Sequence, residues 1–256
     1  MMRLTLMSLV VFAAVQANAQ QYFPPKVIYD TVRTKIADYE AVQLMDTSGN
    51  VVEEGFMKNN TLDGVWTTYH PTGFPATTTS FRNGKKNGSY IRVGRDGYLE
   101  EMIVYRDDIK YGPHRIFYKG ARIDRELFYK NGIEDGLRKV YYSDAGLQEE
   151  ANIKLGKREG ITNWYYKNGK KAVEYHYKND QIDGMATSYN EGGAMTTQGY
   201  FVKGLEQGIW KEFNERGEVV QSGNYMDGHK EGVWKEYDGK GNVIKQVSYK
   251  NGEPAQ

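Results

Sequence analysis

Cysteine is absent from the 256-residue sequence. That removes disulfides, thiolate metal sites and thiol nucleophiles together, and with them a cysteine-linked lipid anchor. Charge of one sign is also lacking, with 34 Lys and Arg against 33 Asp and Glu, a net +1. A near-neutral balance argues against a nucleic-acid partner, which needs a basic stripe. It argues equally against a polybasic membrane anchor. Proline is scarce, at 6 residues. Long apolar runs are missing except for Leu4 to Val15, which is too short to span a bilayer comfortably. Arg3 precedes that run and Ala17-Asn18-Ala19 follows it. The segment reads as a cleavable signal peptide over residues 1–19. The expectation is an exported chain, periplasmic or extracellular.

What is abundant is glycine, 29 residues, and tyrosine, 21. Without much proline, that pairing points to many short strands joined by tight turns. Glycine recurs at 64, 88, 112, 136, 160, 184, 208 and 232, every spacing 24. Counting each unit from this glycine as offset 0, other columns appear. Offset 5 holds Tyr69, Phe117, Tyr141, Tyr165, Tyr189, Phe213 and Tyr237, with Val93 the exception. Offset 17 holds Phe81, Tyr105, Tyr129, Tyr177, Phe201, Tyr225 and Tyr249, with Ile153 the exception. Offset 1 is mostly aliphatic, from Val65 to Val233. Extending back one period gives a degenerate unit, 40–63, with Glu40 in place of the glycine, which reads as a capping repeat. Nine units fill 40–255, and 20–39 is left as a linker or edge strand, with Lys26 to Tyr29 a candidate extra strand.

Each unit splits into two runs, offsets 1 to 6 and 11 to 17. Side chains alternate with period 2, so offsets 1 and 5 share a face. Asn-Gly and Asp-Gly pairs at the joints supply the positive φ of hairpin turns. The acid or amide before seven of the eight periodic glycines, Asp63, Asn87, Asp135, Glu159, Asp183, Gln207 and Glu231, reads as a further turn signature. In two units the turn glycine is displaced, to Gly120 and Gly146, which suggests a changed turn or a bulge.

The unit resembles the MORN repeat in its bacterial variant form. Gly64-Val65-Trp66-Thr67-Thr68-Tyr69, Gly208 to Phe213 and Gly232 to Tyr237 carry one half of the pattern. Tyr129-Lys130-Asn131-Gly132 and Tyr249-Lys250-Asn251-Gly252 carry the other. The resemblance implies an all-β fold, an elongated twisted antiparallel β-meander of repeated hairpins. It also implies a scaffold for protein or membrane-surface contacts. Some relatives are labelled antitoxins, but an exported chain would not meet a cytoplasmic toxin.

No catalytic constellation stands out. His70, His114, His176 and His229 fall in different columns, which suits surface histidines better than a metal site. Acidic pairs such as Glu100-Glu101 lie at non-equivalent offsets, and no unit departs from the repeat to build a pocket. No cofactor is expected. The tryptophans Trp66, Trp164, Trp210 and Trp234 are the candidate partner-binding residues. Trp66, Trp210 and Trp234 share offset 2, on the face opposite offsets 1 and 5. Exposed indoles there would anchor a partner; the alternative is that they cap the sheet ends. The leading expectation is a non-catalytic scaffold that binds a protein at the cell envelope. Glycan or cell-wall binding and membrane-surface binding are the alternatives.

Overall fold

The computed structural model describes residues 30–255. The signal-peptide reading and the candidate strand at Lys26 to Tyr29 lie outside those residues. The described chain forms one open antiparallel sheet of 21 strands, numbered β1 to β21 in chain order, with no helix among the described residues. Hairpin follows hairpin: β1 (Asp30–Ile36) pairs with β2 (Tyr39–Met45), β2 with β3 (Val51–Lys58), β3 with β4 (Thr61–Tyr69), and so on to the end. This is the expected meander. The edge strand of the 20–39 segment is Asp30–Ile36.

The periodic glycine does a different job from the one its sequence suggests. It does not close a turn but sits inside a strand. Opposite β4, Gly55 faces Trp66 and Met57 faces Leu62, so Phe56 alone stands against Asp63, Gly64 and Val65. Two extra residues bulge out, and Gly64 takes φ +109° at the centre of the bulge. The same shift recurs opposite Ser80, Val104, Asn152, His176 and later equivalents. Bulges bend a strand and increase its twist, so a bulge in every unit imposes the same deformation at regular intervals. The cap unit is the informative exception. Glu40 replaces the glycine, and β1 and β2 pair in unbroken register from Asp30↔Met45 to Ile36↔Tyr39.

The two kinds of connection differ in chemistry. At one side of the sheet, two-residue turns hold both central residues at positive φ, as at Asn83 (+49°) and Gly84 (+77°). These are the turns whose twist matches the flanking strands. Each is tied to the unit before it. The Gly84 N–H donates to the Leu62 carbonyl at 2.8 Å, and the Asn83 N–H donates to the Asp63 carboxylate at 2.9 Å. Asp135, Glu159, Asp183 and Glu231 accept from Leu155, Asn179, Lys203 and Asn251 in the same way. The acid before the glycine is therefore a staple between units, which corrects its reading as a local turn signature.

At the other side, five-residue loops close with paired backbone bonds, His70 N–H to Phe74 O and Gly73 N–H to His70 O in one unit. The displaced glycines change nothing in this geometry. Ala121 (+63°) and Ala145 (+72°) take the left-handed position that Gly73 and Gly97 occupy elsewhere, and the backbone bonds are unchanged. The expected altered turn is thus absent, and two alanines carry the strain instead. In the middle units a side chain at offset 6 clips the loop to the next unit. The Tyr118, Tyr142 and Tyr166 hydroxyls donate to the carbonyls of Tyr141, Tyr165 and Tyr189 at 2.7–2.9 Å. His70 makes the equivalent bond to the Val93 carbonyl. Asp46 and Asp238, at the array ends, instead fold back to accept backbone N–H bonds within their own loops.

Candidate interaction surface

A single sheet has two faces, and the tryptophans settle which one is closed. Trp66 stands across from Gly55. A Cβ on Gly199 would fall 2.0 Å from Trp210, and one on Gly223 would fall 2.1 Å from Trp234, so each indole lies over a bare glycine backbone. Trp234 is only 4% exposed. From Tyr175 a chain of edge-to-face contacts runs through Phe201, Trp210, Tyr225 and Trp234 to Tyr249, with centroids 5.1–6.5 Å apart. Each such pair contributes about 0.5–1.5 kcal/mol beyond its area. Trp164, at offset 4, packs between Tyr175 and Tyr177. The Trp66 indole donates to Glu53, and that of Trp234 to the Asn224 carbonyl. The four tryptophans are thus held in the ladder or against backbone, on what we call the ring face, and are not free anchors. A signal for this was present. Gly55, Gly199 and Gly223 each precede a tryptophan by 11 residues.

Where the offset-2 column loses its tryptophans, the ring face turns polar. Thr79 faces Tyr90 and Ile103 faces His114. His114 is buried and its Nε2 meets Glu101 at 2.8 Å, which corrects its reading as a surface residue. The hydrogen bond with His114, helped by the bond and charge of Arg92, holds the Glu101 carboxyl below the usual carboxylate range, against the opposing effect of burial. Further along, Arg138 grips Glu134 through two bonds of 2.7 and 2.6 Å, and Arg158 meets Glu149 at 2.9 Å. These pairs close the seam. Among the described residues no group of three or more His, Asp or Glu is placed to hold a metal ion.

The opposite, open face carries offsets 1, 3, 5, 14, 16 and 18. Its rungs are self-neutralising through the middle of the array. Arg115 pairs with Glu126 at 2.8 Å and Lys139 with Glu150 at 3.5 Å. The offset-5 tyrosines join them. The Tyr141 hydroxyl donates to Glu126 at 2.9 Å, and Tyr69 donates to Glu54. Both hydroxyls are pushed up to about 12, Tyr69 chiefly by its bond to Glu54 and Tyr141 chiefly by burial. The aliphatic offset-1 column lies here uncovered: Val65, Leu137, Ile161, Met185, Ile209 and Val233 are all exposed. The face assignment from alternation was right for offsets 1 and 5, but the open side is theirs and the tryptophans hold the closed one.

The sequence profile of the MORN repeat variant matches residues 158–179 and 230–251. The resemblance read from the sequence holds at those two stretches. No curated protein matches the chain. The two matched stretches each run from the end of a two-residue turn, through the bulge glycine and the five-residue loop, to the next turn.

Proposed function

We propose that this protein is a non-catalytic, exported repeat scaffold that binds another protein at the cell envelope. One observation carries the reading. A row of aliphatic side chains stands exposed along the open face, in register with the repeat, while the tryptophans and the rings beside them from Phe201 to Tyr249 pack against one another on the ring face. Exposed apolar surface of this extent marks an interaction site more often than a solvated one. Among the described residues the ring-face acids Glu101, Glu134 and Glu149 are paired with His114, Arg138 and Arg158, an arrangement that suits a structural seam. A stacking platform for sugars has less support, since the ladder rings are engaged with one another and the open-face Tyr69 and Tyr141 are bonded to Glu54 and Glu126.

Pull-down with the tagged mature chain from envelope extract tests the reading. It predicts a stoichiometric protein partner that is lost when Ile161 and Ile209 are both replaced by Thr. Retention of the partner by that variant, or recovery of glycan alone, would overturn it.

A further inference from the structure

The open face obeys a rule that it breaks in one place. Offset 18, the last residue before each two-residue turn, is Lys58, Arg82, Arg106, Lys130, Lys154 and Lys178 in six successive units. Then it becomes Val202 and Met226 before returning to Lys250. Val202 pairs with Leu205, and Met185 pairs with Tyr200. With Ile209 and Val233 these form an apolar area across five strands, β15 (Gln181–Tyr189) to β19 (His229–Tyr237). Ile209 is 68% exposed and Met226 54%. Met185, Tyr200 and Ile209 border an open recess, together with Gln198 and Lys211.

The charges change in the same units. Arg115 and Lys139 each face a glutamate across the strand pair. Lys211 faces Gln198 and Ser222, and Lys235 faces Ser222 and Gln246. Neither lysine has an acid opposite it. Two acids beside the turns of this region are engaged elsewhere, Asp183 by the Lys203 N–H and Asp227 by the Gln207 side chain. In units 184–207 and 208–231, where offset 18 turns aliphatic, Gln198 and Ser222 stand where units 112–135 and 136–159 carry Glu126 and Glu150. A local departure from an otherwise strict repeat marks function more than architecture.

Resting on the scaffold reading above, the geometry points to β15–β19 as the docking face, and to an acidic, amphipathic polypeptide segment as its occupant. Aliphatic side chains of the partner cover Met185, Val202, Ile209 and Met226, and its carboxylates meet Lys211 and Lys235. A nucleic acid is a poorer fit, since its dense charge has only two spaced lysines to meet.

The test is fluorescence anisotropy of the mature chain with a labelled peptide of alternating Leu and Glu. Salt-sensitive binding is expected. Val202→Thr with Ile209→Thr lowers affinity about tenfold or more, in line with the loss of central interface side chains. Thr suits a strand, and both positions are exposed, so the fold tolerates the change; circular dichroism verifies this. Lys211→Gln with Lys235→Gln flattens the salt dependence. Unchanged binding by the apolar variant overturns the proposal, as does equal affinity for polyglutamate. Loss of the peptide's advantage to vesicles of anionic phospholipid, with the same variants impaired, would make the occupant a membrane and also overturn it. If this variant still captures the partner in the pull-down, the docking face is wrong while the scaffold reading stands.

Discussion

Replacing the bulge glycines by alanine separates two reasons for their presence. Gly160 has φ +85°, and a Cβ built on it meets nothing within 4 Å. Gly160→Ala therefore costs only the left-handed backbone, about 1–2 kcal/mol, partly offset by the lower chain entropy of alanine in the unfolded state. Gly184 has φ +130°, and its added Cβ would lie 2.7 Å from the Cβ of His176. That atom is the stem of the side chain and cannot swing aside. Gly184→Ala thus adds an overpacking cost of about 1–3 kcal/mol, for a total of about 2–4 kcal/mol. For a chain of this size the melting point falls by about 2–4 °C per kcal/mol. Thermal unfolding followed by tryptophan fluorescence should place Gly160→Ala a few degrees below the parent and Gly184→Ala about 10 °C below it. In a His176→Gly background the two alanine substitutions should cost the same. Equal midpoints for the two single variants, or a gap that survives in that background, would refute the reasoning.

The strained alanines run the other way. Ala121→Gly and Ala145→Gly each release left-handed strain and should raise stability by about 0.5–1 kcal/mol, read from denaturant midpoints; a fall at both would contradict the loop geometry. Glu101 titrates below the ordinary glutamate range in the folded protein, so its contribution is full above that range and fades as the pH drops through its lowered value. Glu101→Gln should flatten the acid limb of the stability profile, and an unchanged limb would count against the His114 contact. Tyr69 and Tyr141, with hydroxyls pushed up to about 12, favour the folded state below pH 10 and lose that contribution as the pH climbs towards 12. A tyrosinate absorbance titration should show two late hydroxyls, which Glu54→Gln together with Glu126→Gln return to the ordinary range.

The architecture could be read from the sequence because a strict 24-residue period leaves few alternatives. Strand runs and Asn-Gly turns appear where their residues place them. The bulge could not be read, because a glycine at positive φ looks the same in a turn as inside a strand. Only the pairing partner, Phe56 against Asp63-Gly64-Val65, distinguishes the two. The Asp-Gly pair at 63–64 compounded this, since the acid acts on Asn83, 20 residues away. The packing of the candidate tryptophans was hidden in the sequence for a related reason. Large rings occur on both faces of the sheet, so composition alone does not tell which face closes. The pairing of Trp66, Trp210 and Trp234 with bare glycines decides it, and that is a volume relation between neighbouring strands. In most sheets an aliphatic column such as offset 1 would be core. Here a single layer leaves it without cover.

The most direct test of the docking face is photo-crosslinking in intact cells from a reactive side chain placed at residue 209, with residue 89 as comparison. Ser89 shares offset 1 with Ile209 but lies in a unit that keeps its basic column. The account predicts one dominant protein adduct from position 209 and none from position 89. Equal adducts from both positions, or an adduct only from 89, would contradict it.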